Sequence, residues 1–308
     1  MYPARFEYVR PESLDEAIGA LEEDAKVLAG GMSLIPLMKL RFAAPAKLVD
    51  INRIEGLDGL AEDGGRLRIG PLVRHGACER SPLLRGRYGV LGEAARLIAD
   101  PIVRNLGTVC GSLAHADPSG DWGSAMLAVR AEVVARGPNG ERVIPIDEFF
   151  VAPFTTSLQP GEILTEVRVR DASVRAGGAY LKLERKVGDF ATAAVAVHLS
   201  FSNGTVERAG IGLTAVGPTN LRASEAEQSL VGKAVDDAAI EEASRLAAQA
   251  AQPVADVRGS AEFKRQAIRV LTARALRKAA HATGESESFS GHETIEGVME
   301  EIREKEES

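Results

Sequence analysis

Residues 27–41, VLAGGMSLIPLMKLR, set an apolar strand-like run against an amphipathic helix-like one, with two adjacent glycines and a serine at the joint. Glycine lacks Cβ, so Gly30 and Gly31 let the backbone take positive φ and let a ligand come within hydrogen-bond distance of bare N–H groups. Ser33 is a suitable N-cap, and Pro36 falls in the first helical turn, where an absent N–H does no harm. Strand, glycine turn and helix start together suit an anion, because first-turn N–H groups and the helix dipole both favour negative charge. Phosphate is a reasonable ligand, but a tight strand-to-helix turn accounts for the glycines equally well. The stretch lacks the GK[ST] of a Walker A loop and the GxGxxG of a nicotinamide-binding turn, which disfavours both.

A second stretch, NLGTVCGSLAHADPSGDW at residues 105–122, repeats the theme. Gly107 and Gly111 open the backbone and Thr108 and Ser112 offer hydroxyls, so this segment could clamp the other side of a diphosphate. Asp117 and Asp121 supply two acceptors, suited to the ribose or ribityl hydroxyls of a dinucleotide. His115 with Asp117 and Asp121 has a metal-like spacing that would suit zinc or iron. No second His or Glu cluster completes such a site, and a capped turn at Asp117-Pro118 with a buried imidazole is the plainer reading. Cys110 beside N–H donors invites a reactive-thiol reading, although a small buried side chain is preferred. Cys78, in RHGACERS, belongs to a weak HxxC pattern.

These two are the chain's only cysteines. A disulfide framework, a four-cysteine zinc site and a self-contained iron–sulfur cluster each need more thiolates than that. A net charge of −7 argues against general nucleic-acid binding, which needs clustered positive potential. No apolar run approaches the ~18 residues of a membrane span and no basic-flanked leader opens the chain, so a cytoplasmic protein without a transmembrane segment is expected.

At 308 residues the chain exceeds one hydrophobic core. SLDEAIGAL, AKVLAG, SLIPLMKL and AKLVDI read as helix, strand, helix, strand, a small α/β unit with a partly parallel sheet. GRLRIGPL reads as a strand, GVLGEAARLIA as a helix, and Asp100 to Trp122 as a long irregular loop. AEVVAR and ERVIPI form a hairpin through GPNG, and EILTEVRV is a further strand. The apolar pattern lapses near DASVRAGGA. Beyond it AYLKLERK, ATAAVAVHLSF and VERAGIGLTAV predict an antiparallel sheet, followed by three helices. In the last helix Phe263, Ala267, Val270 and Leu271 share a face. The polar, acidic segment 284–308 is expected to be a loosely attached or disordered tail.

AGGMSLIPLMKLR and TVCGSLAHADPSGDW resemble the paired FAD-binding motifs of the medium, flavoprotein subunit of molybdenum hydroxylases, the family that includes carbon monoxide and xanthine dehydrogenases. PARFEYVRPESLDEAIGAL and LKLERKVGDFATAAVAV are similar to the same family, in order and at fitting distances, so the likeness spans residues 1–283. It implies an α+β chain: a vanillyl-alcohol-oxidase (PCMH-type) FAD-binding fold over 1–175 in two subdomains, about 1–55 and 56–175, then a C-terminal domain over 176–283 of a small antiparallel sheet and helices.

The resemblance further implies that Ala29, Gly30, Gly31, Met32 and Ser33 hold the FAD diphosphate from one side, and Thr108, Cys110, Gly111 and Ser112 from the other. Asp121 matches an FAD-contacting aspartate, and Leu164 and Lys182 match positions near the cofactor. Met32 stands where the family usually has His, Gln or Asn, and Cys110 where a second glycine is common, which leaves backbone donors intact while changing flavin affinity or potential. The implied role is electron transfer, without a catalytic side chain on this chain. Electrons from 2Fe–2S clusters on a small subunit, drawn from substrate at molybdenum on a large molybdopterin subunit, would pass to NAD, quinone or oxygen in a dimer of heterotrimers. A self-sufficient FAD oxidoreductase and a flavin-free docking scaffold are the alternatives.

Overall fold

The structure is a computed structural model that describes residues 2–170, 175–283, 300 and 302. In chain order, β1 (Glu7–Val9), α1 (Leu14–Gly19), β2 (Ala25–Leu28), α2 (Leu34–Leu40), β3 (Lys47–Asp50), β4 (Leu60–Asp63) and β5 (Arg66–Ile69) come first. Four short helices follow, α3 (His75–Arg80), α4 (Pro82–Arg85), α5 (Gly89–Leu97) and α6 (Pro101–Leu106), then α7 (Val109–His115) and α8 (Asp121–Ala128). The strands β6 (Glu132–Gly137), β7 (Gly140–Pro145), β8 (Phe150–Ala152), β9 (Thr155–Thr156) and β10 (Ile163–Arg170) precede β11 (Ala176–Leu183), β12 (Ala193–Ser202), β13 (Thr205–Thr214) and β14 (Leu221–Arg222). The helices α9 (Ser224–Leu230), α10 (Asp237–Ala250) and α11 (Ala261–His281) follow.

Two compact units draw on interleaved segments. The first takes the chain up to Ala77, Asp100–Ala116 and Ala131–Arg170; the second takes Cys78–Ala99, Asp117–Arg130 and the chain after Arg170.

In the first unit β2 pairs parallel with β3, as the helix–strand alternation predicts, and β1, which that reading did not include, also pairs parallel with β3. Ser13 caps α1 by accepting from Glu16 N at 3.2 Å. A core of Ala17, Ile18, Val49, Ile51, Ile54, Leu57, Leu72 and Ile163 closes beneath this sheet. The second sheet runs β4-β5-β10-β6-β7, all antiparallel, and its hairpin turn uses Gly140 at φ +104°.

In the second unit β11, β12, β13 and β14 form an antiparallel sheet. One face carries Ala179, Leu181, Val195, Val197, Ile211 and Leu213 into a core with α9, α10 and α11. Ala267, Val270 and Leu271 of α11 are fully or almost fully buried there and Phe263 packs on its edge, the face predicted from their spacing. The other face receives α5 and α8. On it Gly210 and Gly212 of β13 have no room for a side chain, since a Cβ would lie 1.8 Å from Ala128 O and 2.1 Å from Ser124 O. The helix backbone therefore rests directly on the strand, and every residue of α8 is buried.

The irregular loop expected from Asp100 to Trp122 is corrected: it holds α6, α7 and the start of α8. Asp100 caps α6, accepting from Val103 N at 2.9 Å with Pro101 next in the chain, and Thr108 caps α7, accepting from Gly111 N at 3.1 Å. The expected tail lies outside the described residues apart from Glu300, which is exposed, and Ile302, which is 2% exposed and belongs to the core of the second unit. Among the described residues no helix is long and apolar enough to cross a membrane.

Candidate functional site

In the first unit the two glycine segments touch. A Cβ on Gly30 would lie 2.4 Å from Leu106 O and 2.7 Å from Gly107 Cα, so the turn after β2 and the joint between α6 and α7 meet backbone to backbone. Gly31 turns the chain at φ +70°, a region costly for a residue with a side chain. Ile35 N donates to Gly31 O at 3.0 Å and Leu37 N to Ser33 O at 3.1 Å. Among the described residues the amides of Gly30, Gly31, Met32, Ser33 and Leu34 have no protein acceptor. Consecutive free backbone donors of this kind can bind an oxyanion.

Ser33 occupies the N-cap position of α2 but has helical φ and ψ and makes no side-chain cap bond, contrary to the capping role expected for it. Its neighbours' amides are thereby left free. The helix is only seven residues long, so the free amides count for more here than its dipole.

The facing segment is more self-satisfied. Thr108 Oγ1 already accepts from Gly111 N, and Ser112 N donates to Thr108 O at 3.0 Å. Cys110 is 2% exposed, with Sγ 3.8 Å from Gly70 O and 3.9 Å from Ile69 O, a small buried side chain. Leu164 is buried in β10, the strand against which α7 packs. His115 leaves its ring against Phe154, centroids 5.3 Å apart.

Asp121 and Lys182 meet in the second unit. Alternation along β11 puts Tyr180 and Lys182 on the face that α5 and α8 cover, and Glu184, just past the strand, continues the pattern. From the first turn of α8, Asp121 accepts from Tyr180 Oη at 2.7 Å through Oδ1 and from Lys182 Nζ at 3.1 Å through Oδ2. Lys182 Nζ also donates to Leu97 O at 3.1 Å and lies 3.4 Å from Glu184 Oε2. Its side chain is 1% exposed. Burial pushes the Asp121 carboxyl up against the opposing pull of Lys182 and Tyr180, and burial together with Asp121 holds the Tyr180 phenol well above its usual value. Thr214 extends the network to Ser124 at 2.5 Å and Asn220 at 3.2 Å. Asp117 is occupied differently: its Oδ1 accepts from Ser119 N at 2.9 Å, the turn-capping arrangement.

Sequence reasoning passed over Asn52 and Arg74, and met His75 only in the weak HxxC pattern. Asn52 Nδ2 donates to Ala29 O at 2.8 Å and its Oδ1 accepts from Arg74 Nη2 at 2.5 Å, while Arg74 Nη1 donates to Leu106 O. His75 is buried beside Gly107, whose added Cβ would sit 2.6 Å from Nε2. Burial lowers the His75 imidazole to about 4, with Arg74 and Arg104 pushing the same way. Tyr180 was legible as one of three polar residues at alternate positions in AYLKLE; the others carry no local signal.

Free amides at a turn pressed against a second bare segment suit an anionic ligand such as a dinucleotide diphosphate, and the comparisons name the class. The family described as "FAD binding domain in molybdopterin dehydrogenase" matches residues 4–169, and "CO dehydrogenase flavoprotein C-terminal domain" matches 178–279. The chain belongs to this family of FAD-binding medium subunits of molybdenum hydroxylases; it is an oxidoreductase subunit and its cofactor is FAD. It is 44% identical to the carbon monoxide dehydrogenase medium chain of Hydrogenophaga pseudoflava, over 91% of this chain and 98% of that one. It is 37% identical to the 6-hydroxypseudooxynicotine dehydrogenase complex subunit alpha of Paenarthrobacter nicotinovorans, over 95% and 100%. A solved structure of the Hydrogenophaga pseudoflava carbon monoxide dehydrogenase superposes with a TM-score of 0.88 at 45% identity, covering 92% of this chain and 99% of that one.

The local geometry fits the cofactor. A diphosphate needs several N–H donors, and the Gly30–Leu34 turn supplies them.

Proposed function

We propose that this chain is the electron-transfer subunit of a heteromeric molybdenum hydroxylase. Its partners are a large molybdopterin-containing subunit and a small subunit with 2Fe–2S clusters, assembled as a dimer of heterotrimers in the cytoplasm. Electrons arrive from the small subunit and leave to NAD, quinone or oxygen. The relatives' own designations, medium chain and complex subunit, support the assembly.

Bound FAD supplies the exchange between one-electron and two-electron carriers. The protein's task is to hold and orient. Ala29 to Ser33 would donate backbone N–H groups to the diphosphate; Thr108, Cys110, Gly111 and Ser112, with Leu164, would line its other side. Asp117, Asp121 and Lys182 are the remaining residues assigned to the cofactor. Residues 1–175 act as the FAD-binding domain and 176–283 as the C-terminal domain, in keeping with the ranges of the two matched families.

The observation carrying this reading is the free-amide turn pressed against a second bare segment. The test is to purify the chain alone and with both partners, record the visible spectrum, and add NADH or reducing substrates. Flavin absorption with substrate turnover only in the presence of partners is expected. Turnover by the isolated chain would replace this reading with a self-sufficient oxidoreductase, and failure to take up FAD on reconstitution would replace it with a docking scaffold.

A further inference from the structure

The contact between the two glycine segments is not left to packing alone. Asn52, just beyond β3, is exposed, yet its amide is fixed on both sides: Nδ2 donates to Ala29 O at 2.8 Å and to Asp50 Oδ1 at 2.6 Å, and Oδ1 accepts from Arg74. Ordering an exposed side chain this fully costs rotamer entropy, so the arrangement calls for a reason. Arg74 completes it. Its two terminal nitrogens reach to opposite sides, one to Asn52 and the other to Leu106 O, the same carbonyl that stands nearest the absent Cβ of Gly30. The guanidinium thus spans the gap between the segment that Asn52 holds and the segment that faces it. Leu106 is also the last residue of α6, whose terminal carbonyls need donors, but a lysine or water would serve that need without reaching Asn52.

The charge points the same way. Among the described residues no carboxylate comes within ion-pair distance of Arg74; Asp50 and Asp58 act on it only from farther off. A half-buried cation held by neutral acceptors, beside five unpaired amides, leaves local positive potential for an anion to neutralise.

We propose that Arg74 and Asn52 are positioning residues for the FAD diphosphate: they lock the Ala29–Ser33 turn against the Leu106–Ser112 segment at the separation the diphosphate needs, and Arg74 supplies the positive charge at that place. The inference rests on the reading that these segments hold FAD. The planar fork is essential to it, because a lysine keeps the charge but cannot bridge two acceptors in fixed geometry.

The experiment uses the full chain and four variants, Arg74→Ala, Arg74→Lys, Asn52→Ala and the Arg74→Ala/Asn52→Ala double. FAD affinity is titrated by flavin fluorescence at two salt concentrations, ³¹P resonances of bound FAD are recorded, and the unfolding midpoint is measured without FAD. Arg74→Ala should weaken FAD by about tenfold to a hundredfold, the scale of one lost charge-assisted contact, and flatten the salt dependence. Arg74→Lys should keep the salt dependence, weaken FAD less, and shift the ³¹P resonances. Asn52→Ala should weaken FAD as well, with the double variant little worse than Arg74→Ala because the two act as one unit.

Wild-type affinity and unshifted ³¹P resonances in both Arg74 variants would overturn the proposal while leaving FAD binding itself intact. An Arg74→Lys protein that loses stability without FAD but binds FAD with unshifted resonances would also overturn it, in favour of a purely structural role. Failure of the wild-type chain to bind FAD is a different result and strikes the underlying reading. If Arg74→Ala does not fold, the lysine and Asn52 variants carry the test.

Discussion

Replacing Gly30 with alanine isolates one contact. The φ of Gly30 lies outside the left-handed region, so the new residue meets no backbone penalty at its own position. What it meets is Leu106 O at 2.4 Å and Gly107 Cα at 2.7 Å, where ordinary contact begins near 3.4 Å. Both neighbours are backbone and cannot rotate aside, so the segments must part by about 1 Å to restore ordinary contact. Overpacking of this kind costs about 1–3 kcal/mol of stability. The larger effect falls on the cofactor. On the proposed reading the diphosphate is gripped from both segments and cannot follow both, and losing a single hydrogen bond to a charged group, worth about 1.5–3 kcal/mol, lowers affinity roughly 10- to 150-fold. Fluorescence titration of the apoprotein with FAD measures this directly. Gly19→Ala is the control, because a Cβ there meets nothing within 4 Å. If Gly30→Ala binds FAD as tightly as the wild type and Gly19→Ala, the diphosphate does not sit at this turn.

Lys182→Met strands the Asp121 carboxylate in a buried site and should destabilise the protein by about 3 kcal/mol in urea unfolding, whereas Lys182→Met with Asp121→Asn should recover part of the loss; additivity of the two would mean the groups are uncoupled. His75 has a folded value of about 4 against an ordinary 6.5, so its contribution to stability is full above pH 6.5 and is lost as pH falls toward 4, by about 3 kcal/mol. Unfolding curves at pH 7.5 and 4.5 for the wild type and His75→Gln should show that much less acid sensitivity in the variant; equal sensitivity would remove His75 as a source.

The strand, glycine turn and helix at residues 25–40 were readable because a change of apolar period and two adjacent glycines fall at one point. The segment from Asp100 to Trp122 was misread for a physical reason. Its helices are six, seven and eight residues long, too short to display a period, and the Asp, Thr, Pro and Gly that start them are the residues that also make turns. Asp100-Pro101 and Thr108-x-x-Gly111 were helix starts in plain view. The membership of α5 and α8 in the second unit depends on packing against a sheet that follows them in the chain, which no local pattern encodes. Asn52 and Arg74 were invisible for the same reason: their partners lie 23 and 32 residues away. Ser33 shows the converse error, a residue with the right chemistry for a cap whose backbone adopts a conformation that prevents it.

The seating of α8 on β13 has a consequence for Asp121. With no side chain at Gly210 or Gly212, the strand acts as a bench of fixed height, and the helix standing on it has no vertical play. A single methyl at Gly212 would act as a shim under one end of a beam, tilting away from Tyr180 and Lys182 a carboxylate it never touches.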